Sequence, residues 1–271
     1  MFKAAAIQMA SGPNVEANLH ETGRLIKQAA KAGASLVVLP ENFAIMGLRE
    51  QDKVAVREPQ GEGVIQNFLA QQSRLHKIWI VGGTVPIECP DPRKIFAACL
   101  VYDDQGACVA RYDKIHLFDV NLVDADESYI ESETIEFGET GVRVVDSPFG
   151  RIGLAVCYDL RFPELFRNML DTGVQITVLP AAFTAVTGQV HWESLIRARA
   201  IENVMYVIAS AQGGYHINGR ATYGDSMIVD PWGRVLDRVR HGAGMALGKI
   251  DLDYLESLRK TFPCIHHRRL K

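Results

Sequence analysis

The sequence predicts an α/β fold, and two observations support this prediction. Apolar runs of strand length alternate along the chain with segments in which apolar residues recur at helical spacing. Several of the runs are apolar at every position, which is typical of strands in a sheet that is covered on both faces. We therefore expect sheets with helices packed against them, formed by residues 1–271 as a single domain.

The first strand–helix–strand unit lies near the N-terminus. Two apolar runs, Phe2–Met9 and Leu36–Leu39, predict buried strands. The segment between them places apolar residues on one helical face, with Asn14 as the N-cap and Gly33 where the helix would end. A strand, a helix and a second strand in this order indicate a βαβ unit.

The rest of the chain repeats this alternation. Further helices are predicted at about Gly63–His76, Pro163–Leu170 and Trp192–Asn203. Further strands are predicted at Trp79–Val85, Ala97–Tyr102, Cys108–Tyr112, Arg151–Val156, Ile176–Leu179, Met205–Ser210, Asp225–Val229 and Met245–Ile250. The segment from Leu117 to Thr140 is acidic and has no clear period, and long irregular segments of this kind are often functional.

Composition argues against several classes of protein. The net charge is −3 and no long basic run occurs, which argues against nucleic acid or a membrane surface as a partner. The five cysteines are irregularly spaced without a CxxC pair, as expected of free thiols in a reducing compartment. The first apolar run ends at Gln8, too early for a signal peptide, and no apolar stretch is long enough to span a bilayer. We therefore expect a soluble, cytoplasmic protein.

Three reactive side chains follow apolar strands. Glu41 comes just after the run LVVLP, Lys114 lies in VARYDKIHLF, and Cys157 ends GLAVC at a strand-to-helix turn. Ligands of α/β folds collect at the carboxyl ends of strands, so residues from distant positions can meet there.

These residue types suit nucleophilic catalysis. A free thiol has a pKa of about 8.5, so Cys157 needs a base such as Glu41 to become an effective nucleophile. Lys114 and the backbone N–H of Tyr158 could stabilise the oxyanion that forms when the thiol attacks an amide. Taken singly, each residue has an ordinary structural explanation, because buried cysteines and exposed loop lysines are common.

Several longer motifs add a family resemblance. At PENF, RYDKIHLFD and CYDLRFPELFR the sequence resembles the nitrilase superfamily, the carbon–nitrogen hydrolases. The resemblance runs from AAIQM through WESLIRARAIEN and the pattern at Gly224–Gly233 to FPCIHHRRL. It implies a four-layer α-β-β-α sandwich of the nitrilase type that dimerises into an eight-layer assembly, and an amidase that needs no metal and no cofactor.

The resemblance also implies roles for the site residues. Glu41 matches the general base, Lys114 the lysine that stabilises the oxyanion, and Cys157 the nucleophile. A second glutamate is expected between the lysine and the cysteine, and the possible residues are Glu127, Glu131, Glu133 and Glu136. Glu131 is preferred because it precedes Phe137 and Gly138 at the distance typical of the family. It would orient Lys114 and contact the substrate nitrogen.

Within the superfamily, HLFD after the lysine and the terminal HRR resemble the Nit branch. This resemblance implies hydrolysis of a small carboxylated amide to an acid and ammonia, with deaminated glutathione as the model substrate. The alternatives are 2-oxoglutaramate or succinamate, as for an ω-amidase, or an N-carbamoyl amide. Arg161 is predicted to bind a substrate carboxylate. An ion pair with Glu164 or Asp159 is its alternative role. Tyr158 and Phe183 are further predicted substrate contacts, and Phe118, Tyr129 and Trp192 are weaker ones.

Three other functions stay open on the residues alone. Cys157 with His191 and Asn203 could form a Cys-His enzyme, although Glu41 and Lys114 would then have no role. Cys264, His266 and His267 lie close in sequence, but a fourth metal ligand at suitable spacing is absent. A non-catalytic binding module on the same fold is the remaining possibility. For an amidase, water is the expected second reactant.

Overall fold

The computed structural model describes residues 1–122 and 127–270, and within these ranges the chain forms two large sheets with helices on their outer faces. The strands are β1 Phe2–Gln8, β2 Leu36–Val38, β3 Trp79–Val81, β4 Val85–Glu88, β5 Ile95–Tyr102, β6 Cys108–Asp113, β7 Asp119–Leu122, β8 Glu127–Ile130, β9 Ile135–Glu136, β10 Val144–Ser147, β11 Gly150–Leu154, β12 Ile176–Ala181, β13 Tyr206–Ala211, β14 Gly213–Tyr215, β15 Ala221–Tyr223, β16 Ser226–Val229, β17 Val235–Val239 and β18 Gly244–Ile250. The α-helices are α1 Val15–Lys31, α2 Asp52–Ala55, α3 Val64–His76, α4 Pro163–Asp171, α5 Ala185–Asn203 and α6 Leu252–Thr261. None of the helices in these ranges is long and apolar enough to cross a membrane.

The first sheet follows the order β18-β1-β2-β3-β5-β4, and β6 and β9 also pair with β5. Its centre is parallel, since β1 pairs with β2 and β2 with β3 in the same direction. The connection from β1 to β2 is α1, which begins after an Asn14 side chain that accepts the N–H of Ala17. The predicted βαβ unit is therefore present, with α1 capped at the expected residue.

The second sheet follows the order β10-β11-β12-β13-β16-β17. Strands β11, β12 and β13 are parallel, and β10, β16 and β17 are antiparallel to their neighbours. Helix α4 connects β11 to β12, and α5 connects β12 to β13. Both sheets thus have a parallel centre, which places the ends of several strands at one edge.

The alternation of side chains along β1 shows how the layers pack. Ala4 and Ala6 belong to the core shared with the second sheet, whereas Ala5 and Ile7 pack with residues of α1 and α3. Successive side chains of a strand point to opposite faces, so one strand contributes to two cores. The layer order is α-β-β-α, and the predicted four-layer sandwich is confirmed. The eight-layer dimer stays a prediction.

Several predicted boundaries differ from the structure. The single strand expected at Trp79–Val85 is broken, because Gly83 has φ +53° and a Cβ at this residue would collide with the carbonyl oxygen of Pro40. Helix α5 begins at Ala185 instead of Trp192, because Thr184 caps it by accepting the N–H of Thr187. These two features shape the turns that surround Glu41 and the cavity described below.

Other elements were not predicted at all. The irregular acidic segment contains the antiparallel strand pair β7–β8 and a short 3-10 turn at Glu131–Glu133. Helix α6 and strands β10, β14, β15 and β17 were also missed. Most of these strands lie at sheet edges or in two-stranded hairpins, where a run of apolar residues is not required.

Candidate active site

Glu41, Lys114 and Cys157 come together from three strand ends. Glu41 follows β2, Lys114 follows β6 and Cys157 follows β11, so two of them come from the first sheet and one from the second. The ammonium of Lys114 lies 2.9 Å from Oε1 of Glu41. The thiol of Cys157 is near enough to both for their charges to act on it in opposite directions. The side chains of Lys114 and Glu41 are 0% and 4% exposed, so this charged cluster is almost fully shielded from water.

Glu131 completes the charged cluster. Its two carboxylate oxygens lie 3.0 Å and 2.7 Å from Nζ of Lys114, and Oε2 also accepts the N–H of Phe118 at 2.8 Å. Two of the other possible glutamates are engaged elsewhere. Glu127 accepts the hydroxyl of Tyr129, and Glu136 pairs with Lys94, which directly precedes β5. Glu131 is therefore the acidic residue of this segment that the structure places on Lys114.

Burial and charge together determine the protonation of the cluster. Burial alone would lower the pKa of Lys114, but the charges of Glu131 and Glu41 outweigh it and raise this pKa well above its usual value. Burial would raise the pKa of Glu131, but the charge of Lys114 outweighs it and lowers this pKa. Burial, followed by the charge of Glu41, raises the pKa of the Cys157 thiol well above its usual value. The cluster thus holds an ammonium between carboxylates beside a protonated thiol, which requires a base before it can act as a nucleophile.

The backbone of Cys157 is in a conformation that residues with a side chain rarely adopt. Its φ is +49°, in the left-handed region, and it starts a 3-10 turn at Cys157–Arg161 that leads into α4. A left-handed backbone costs roughly 1–2 kcal/mol for a residue with a Cβ, so the surroundings must hold it. The N–H of Ala182 points at Sγ over 3.5 Å, and Arg199 donates from Nε and Nη2 to the carbonyl of Leu160.

A buried carboxylate in this turn joins it to the lysine segment. Asp159 is 0% exposed and accepts three hydrogen bonds, from the Tyr112 hydroxyl at 2.7 Å, the Val156 N–H at 2.7 Å and Nδ1 of His116 at 2.6 Å. We call these four residues the Asp159 clamp. Because Tyr112 and His116 lie on either side of Lys114 in sequence, the clamp fixes the lysine segment relative to the cysteine turn.

The segment that carries Glu41 is held by its backbone. Gln212, which directly follows β13, donates from Nε2 to the carbonyl of Glu41 at 3.0 Å and to the hydroxyl of Ser11 at 2.8 Å. The next residue, Asn42, has φ +57°, and its N–H donates to Oγ1 of Thr84 at 2.8 Å. These bonds leave the Glu41 carboxylate itself free to face Lys114 and the thiol.

A narrow cavity lies in front of the thiol. Its lining residues are Phe118, Glu131, Cys157, Tyr158, Arg161, Ala182, Phe183, Thr184, Thr187 and Arg220. It adjoins a wider outer basin of about 590 Å³, which shares Phe118, Glu131 and Arg220 with it. Tyr158 and Phe183, both expected near the substrate, line the cavity, and Tyr129 lines the outer basin. Trp192 is fully buried in the core and donates its indole N–H to the carbonyl of Asp225, so it does not line the cavity.

Arg161 faces this cavity, and no carboxylate of the described residues pairs with it. Its Nη1 lies 3.1 Å from Nδ1 of His191, and its guanidinium lies 5.1 Å from the centre of the Phe183 ring. Neither of the alternative ion pairs, with Glu164 or Asp159, is present among the described residues. The Asp159 carboxylate is occupied by its clamp, which leaves the charge of Arg161 available at the cavity.

The rival arrangements are not assembled. His191 contacts Arg161 instead of Cys157, and Asn203 donates to the carbonyl of Arg199 on its own helix. On that helix, Arg199 pairs with Glu202. In the described ranges, no group of three His, Cys, Asp or Glu residues could hold a metal ion.

Sequence reasoning missed four residues of this site. Asp159, His116, Gln212 and Arg220 all contact the site through partners that are distant in sequence. For Asp159 and His116 one signal was available, since each lies two residues after a predicted site residue. Arg220 lies in the hairpin turn between β14 and β15, and no motif marks it.

Comparison with known proteins identifies the class first. The structure matches the NitFhit protein of Caenorhabditis elegans with a TM-score of 0.91 at 37% identity, covering 99% of this chain and 65% of that one. It matches Nit3 of Saccharomyces cerevisiae, a member of branch 10 of the nitrilase superfamily, with a TM-score of 0.88 at 31% identity, covering 99% and 97%. The sandwich is thus that of the nitrilase superfamily.

The sequence comparisons then give the family. The profile described as carbon-nitrogen hydrolase matches residues 3–260. The deaminated glutathione amidase of Synechocystis sp. is 41% identical over 269 residues, which covers 98% of each chain. The chain therefore belongs to the carbon–nitrogen hydrolase family, and it is an enzyme that hydrolyses amide-type bonds.

Proposed function

We propose that this enzyme hydrolyses a small carboxylated amide of the deaminated glutathione type through a thioester on Cys157. The observation that carries the proposal is the buried cluster in which Lys114 lies between Glu41 and Glu131 beside a protonated thiol. The cluster supplies a nucleophile, a base and a fixed positive charge in one shielded site. These are the groups that amide hydrolysis by a thiol requires.

In the first step, Glu41 takes the proton of the Cys157 thiol while Sγ attacks the amide carbon. The carbonyl π electrons move to the oxygen, and the resulting oxyanion is stabilised by the ammonium of Lys114 and the N–H of Tyr158. Lys114 is suited to this role because its raised pKa keeps it charged and Glu131 fixes its position. Glu131 also lines the cavity, where it can accept a hydrogen bond from the substrate nitrogen.

In the second step, Glu41 gives its proton to the substrate nitrogen, and the C–N bond breaks. The amine leaves, and the acyl group remains on Sγ as a thioester. Glu41 then takes a proton from water as the oxygen attacks the thioester carbon. The C–S bond breaks, the acid is released, and the proton returns to the thiolate. The net reaction is an amide plus water giving an acid plus an amine, so no cofactor is consumed.

The proposed substrate follows from the cavity and from the relatives. Arg161 offers its guanidinium, which pairs with no described carboxylate, to an acyl group with a carboxylate, and a guanidinium binds a carboxylate at two points. The Synechocystis relative is named a deaminated glutathione amidase. Glutathione is a tripeptide of γ-glutamate, cysteine and glycine, so its deaminated form is a secondary amide. Its hydrolysis releases cysteinylglycine instead of the ammonia that a primary amide gives.

A primary amide with one carboxylate is the second possibility. Arg161, which lines the inner cavity, would also pair with the single carboxylate of 2-oxoglutaramate or succinamate. An N-carbamoyl amide is a weaker alternative. Hydrolysis of these compounds would use the same residues and would differ only in the leaving group.

Location and assembly are also proposals. All five cysteines are free, which supports a reducing, cytoplasmic compartment. We propose a homodimer on the family resemblance, with the small-molecule amide and water as reactants.

The test compares wild-type protein with Cys157→Ala on deaminated glutathione, 2-oxoglutaramate and succinamate. Formation of the acid product is measured, because the leaving group differs between substrates. We expect hydrolysis by the wild type and a loss of at least about 10⁴-fold in the variant, since the nucleophile is removed. Thioester formation would be checked by mass spectrometry after an acid quench. Equal activity of the two proteins would contradict the proposal.

A further inference from the structure

Two arginines line the cavity of Cys157, and among the described residues neither pairs with a carboxylate. Arg161 lines only the inner cavity, whereas Arg220 lines both the cavity and the outer basin. Arg220 therefore marks the junction between the two spaces. A charged group that is partly removed from water and lacks a counter-ion costs free energy, so two such groups in one cavity indicate a ligand that supplies the missing charges.

The side chain of Arg220 is held in a defined position. Its Nη2 donates to the carbonyl of Ala182 at 2.7 Å, and its guanidinium lies 5.1 Å from the centre of the Tyr129 ring. Ala182 is also the residue whose N–H points at Sγ of Cys157, which places this arginine beside the nucleophile. The Nε of Arg220 is buried and has no acceptor within the described ranges. Buried polar groups without a partner are rare and suggest that one is supplied by a bound molecule.

Three of the carboxylates around the outer basin have other partners. Glu50 lies 2.7 Å from Nζ of Lys53, and Glu131 is bonded to Lys114. Glu127 accepts the hydroxyl of Tyr129. In the described part of the chain no carboxylate lies within ion-pair distance of the Arg220 guanidinium. The charge of Arg220 also lowers the pKa of Glu50, but Lys53 lowers it more, so this carboxylate is engaged mainly with the lysine.

We propose that Arg220 binds a carboxylate on the leaving group of the substrate, so that the enzyme selects amides with one carboxylate on each side of the scissile bond. This inference rests on the proposed function, and it narrows the substrate class. The acyl carboxylate contacts Arg161 in the inner cavity. The leaving group extends past Arg220 into the basin, which is large enough for a dipeptide.

Deaminated glutathione has this arrangement of charges. Its 2-oxo acid carboxylate lies at the acyl end, and its glycine carboxylate lies at the end of the leaving group. In contrast, 2-oxoglutaramate and succinamate each carry a single carboxylate, on the acyl side, and release ammonia. Arg220 has no group to contact in those two compounds, so it distinguishes the two proposed substrate types.

A cycle of four measurements tests the inference. The wild type and Arg220→Gln are each assayed on deaminated glutathione and on its analogue with the glycine carboxylate converted to a carboxamide. Release of 2-oxoglutarate gives kcat/KM for each pair. We expect the wild type to prefer the carboxylate by about 10- to 100-fold, the range for a charge-assisted hydrogen bond. For Arg220→Gln, the ratio of kcat/KM for the acid to that for the carboxamide should fall to about one, because the variant lacks the charge that binds the carboxylate.

Two further variants make the result specific. Arg220→Lys should show a preference between those of the wild type and the glutamine variant, because an ammonium keeps the charge without the two-point geometry. Arg143→Ala removes an arginine that lines neither the cavity nor the outer basin, and whose side chain is 57% exposed and pairs with Glu139. It should keep the wild-type preference.

The outcomes separate this inference from the proposed function. If the wild type hydrolyses the acid and its carboxamide equally well, the inference is overturned while the amidase proposal stands. The same conclusion follows if Arg220→Gln keeps the wild-type preference. Because the wild-type comparison needs no variant, poor folding of Arg220→Gln would not remove the test. No hydrolysis of any amide by the wild type would overturn both.

Discussion

At the scale of single residues, Lys114 is the centre of the site. Its ammonium contacts Glu41 on one side and both oxygens of Glu131 on the other, and its side chain is fully buried. A buried lysine normally loses its proton because the charged form is poorly solvated. Here two carboxylates replace the water, so the lysine can present a full positive charge to an oxyanion. Glu131 therefore has an electrostatic role as well as a positional one.

Changing Glu131 to Gln tests this role. Both oxygens of Glu131 accept from N–H donors, namely Nζ of Lys114 and the N–H of Phe118. An amide of the same shape would place its own NH2 against one of these donors. We expect kcat to fall about 100-fold or more with a smaller change in KM, as for the loss of an oxyanion donor. The measurement is steady-state hydrolysis of the best amide.

Glu139→Gln is the control for this change. Glu139 belongs to the same acidic segment but lines neither the cavity nor the outer basin, and its side chain is 89% exposed. Its activity should stay within about twofold of the wild type, as for most surface substitutions. An equal loss in the two variants would mean that the negative charge of the whole segment matters instead of the contact with Lys114.

At the scale of elements, the site depends on turns that follow strands. The turn at Cys157–Arg161 places the thiol in a left-handed backbone conformation, and the Asp159 clamp secures it. The clamp also holds the strand extension that carries Lys114, through Tyr112 and His116. One carboxylate thus controls the relative position of two segments from different sheets.

Asp159→Asn tests the clamp. The carboxylate accepts three hydrogen bonds, and an amide would have to turn its NH2 toward at least one of the donors. We expect the free energy of unfolding to fall by about 2–4 kcal/mol, the cost of leaving buried polar groups unpaired. Urea unfolding measures this change. Activity should fall mainly in kcat, because Lys114 and Cys157 lose their alignment.

Asp146→Asn serves as the comparison. Asp146 pairs with Arg151, but its side chain is 78% exposed. A surface pair of this kind contributes little, so the variant should lose less than about 0.5 kcal/mol. Similar losses in the two aspartate variants would argue against a special role for the clamp.

The sequence alone was sufficient to predict the helices and strands that bury one or two apolar faces. Strand β1 and helix α1 were predicted within about a residue, because Phe2–Gln8 is almost entirely apolar and α1 has both a cap and a helical period. Helix α6 was missed, although Leu255 and Leu258 are buried, because its remaining positions are mostly polar. Local patterns cannot reveal an element whose stability comes from contacts with distant segments.

The residues of the site also divide into those that the sequence predicts and those that only the fold reveals. Glu41, Lys114 and Cys157 stand out in sequence because each follows an apolar strand within a motif. The choice of Glu131 over its neighbours needed the family spacing, and its contact with Lys114 became visible only in the fold. Arg220 could not be found, since its importance depends on a cavity built from residues far apart in the chain.

At the scale of the whole molecule, the two sheets determine how the site responds to pH. Their packing buries Cys157 at the end of the shared core and Cys99 within it. Burial raises the pKa of both thiols, and for Cys157 the charge of Glu41 raises it further. Both therefore stay protonated in the folded protein under conditions in which the unfolded chain ionises them.

The consequence is a loss of stability at alkaline pH. A thiol whose pKa is raised by folding contributes stability that is complete below its unfolded pKa, near 9, and is lost as the pH rises beyond it. We expect the free energy of unfolding to fall above about pH 9, with a contribution of about 1.4 kcal/mol per pH unit from each such thiol. Cys157→Ala and Cys157→Ser lack one of these groups, so their urea-derived stabilities should fall less steeply between about pH 9 and 10.5. Parallel curves for the wild type and both variants would show that Cys157 ionises as easily in the folded protein as in the unfolded chain. That result would argue against the protonated resting thiol, and with it against the need for Glu41 as the base.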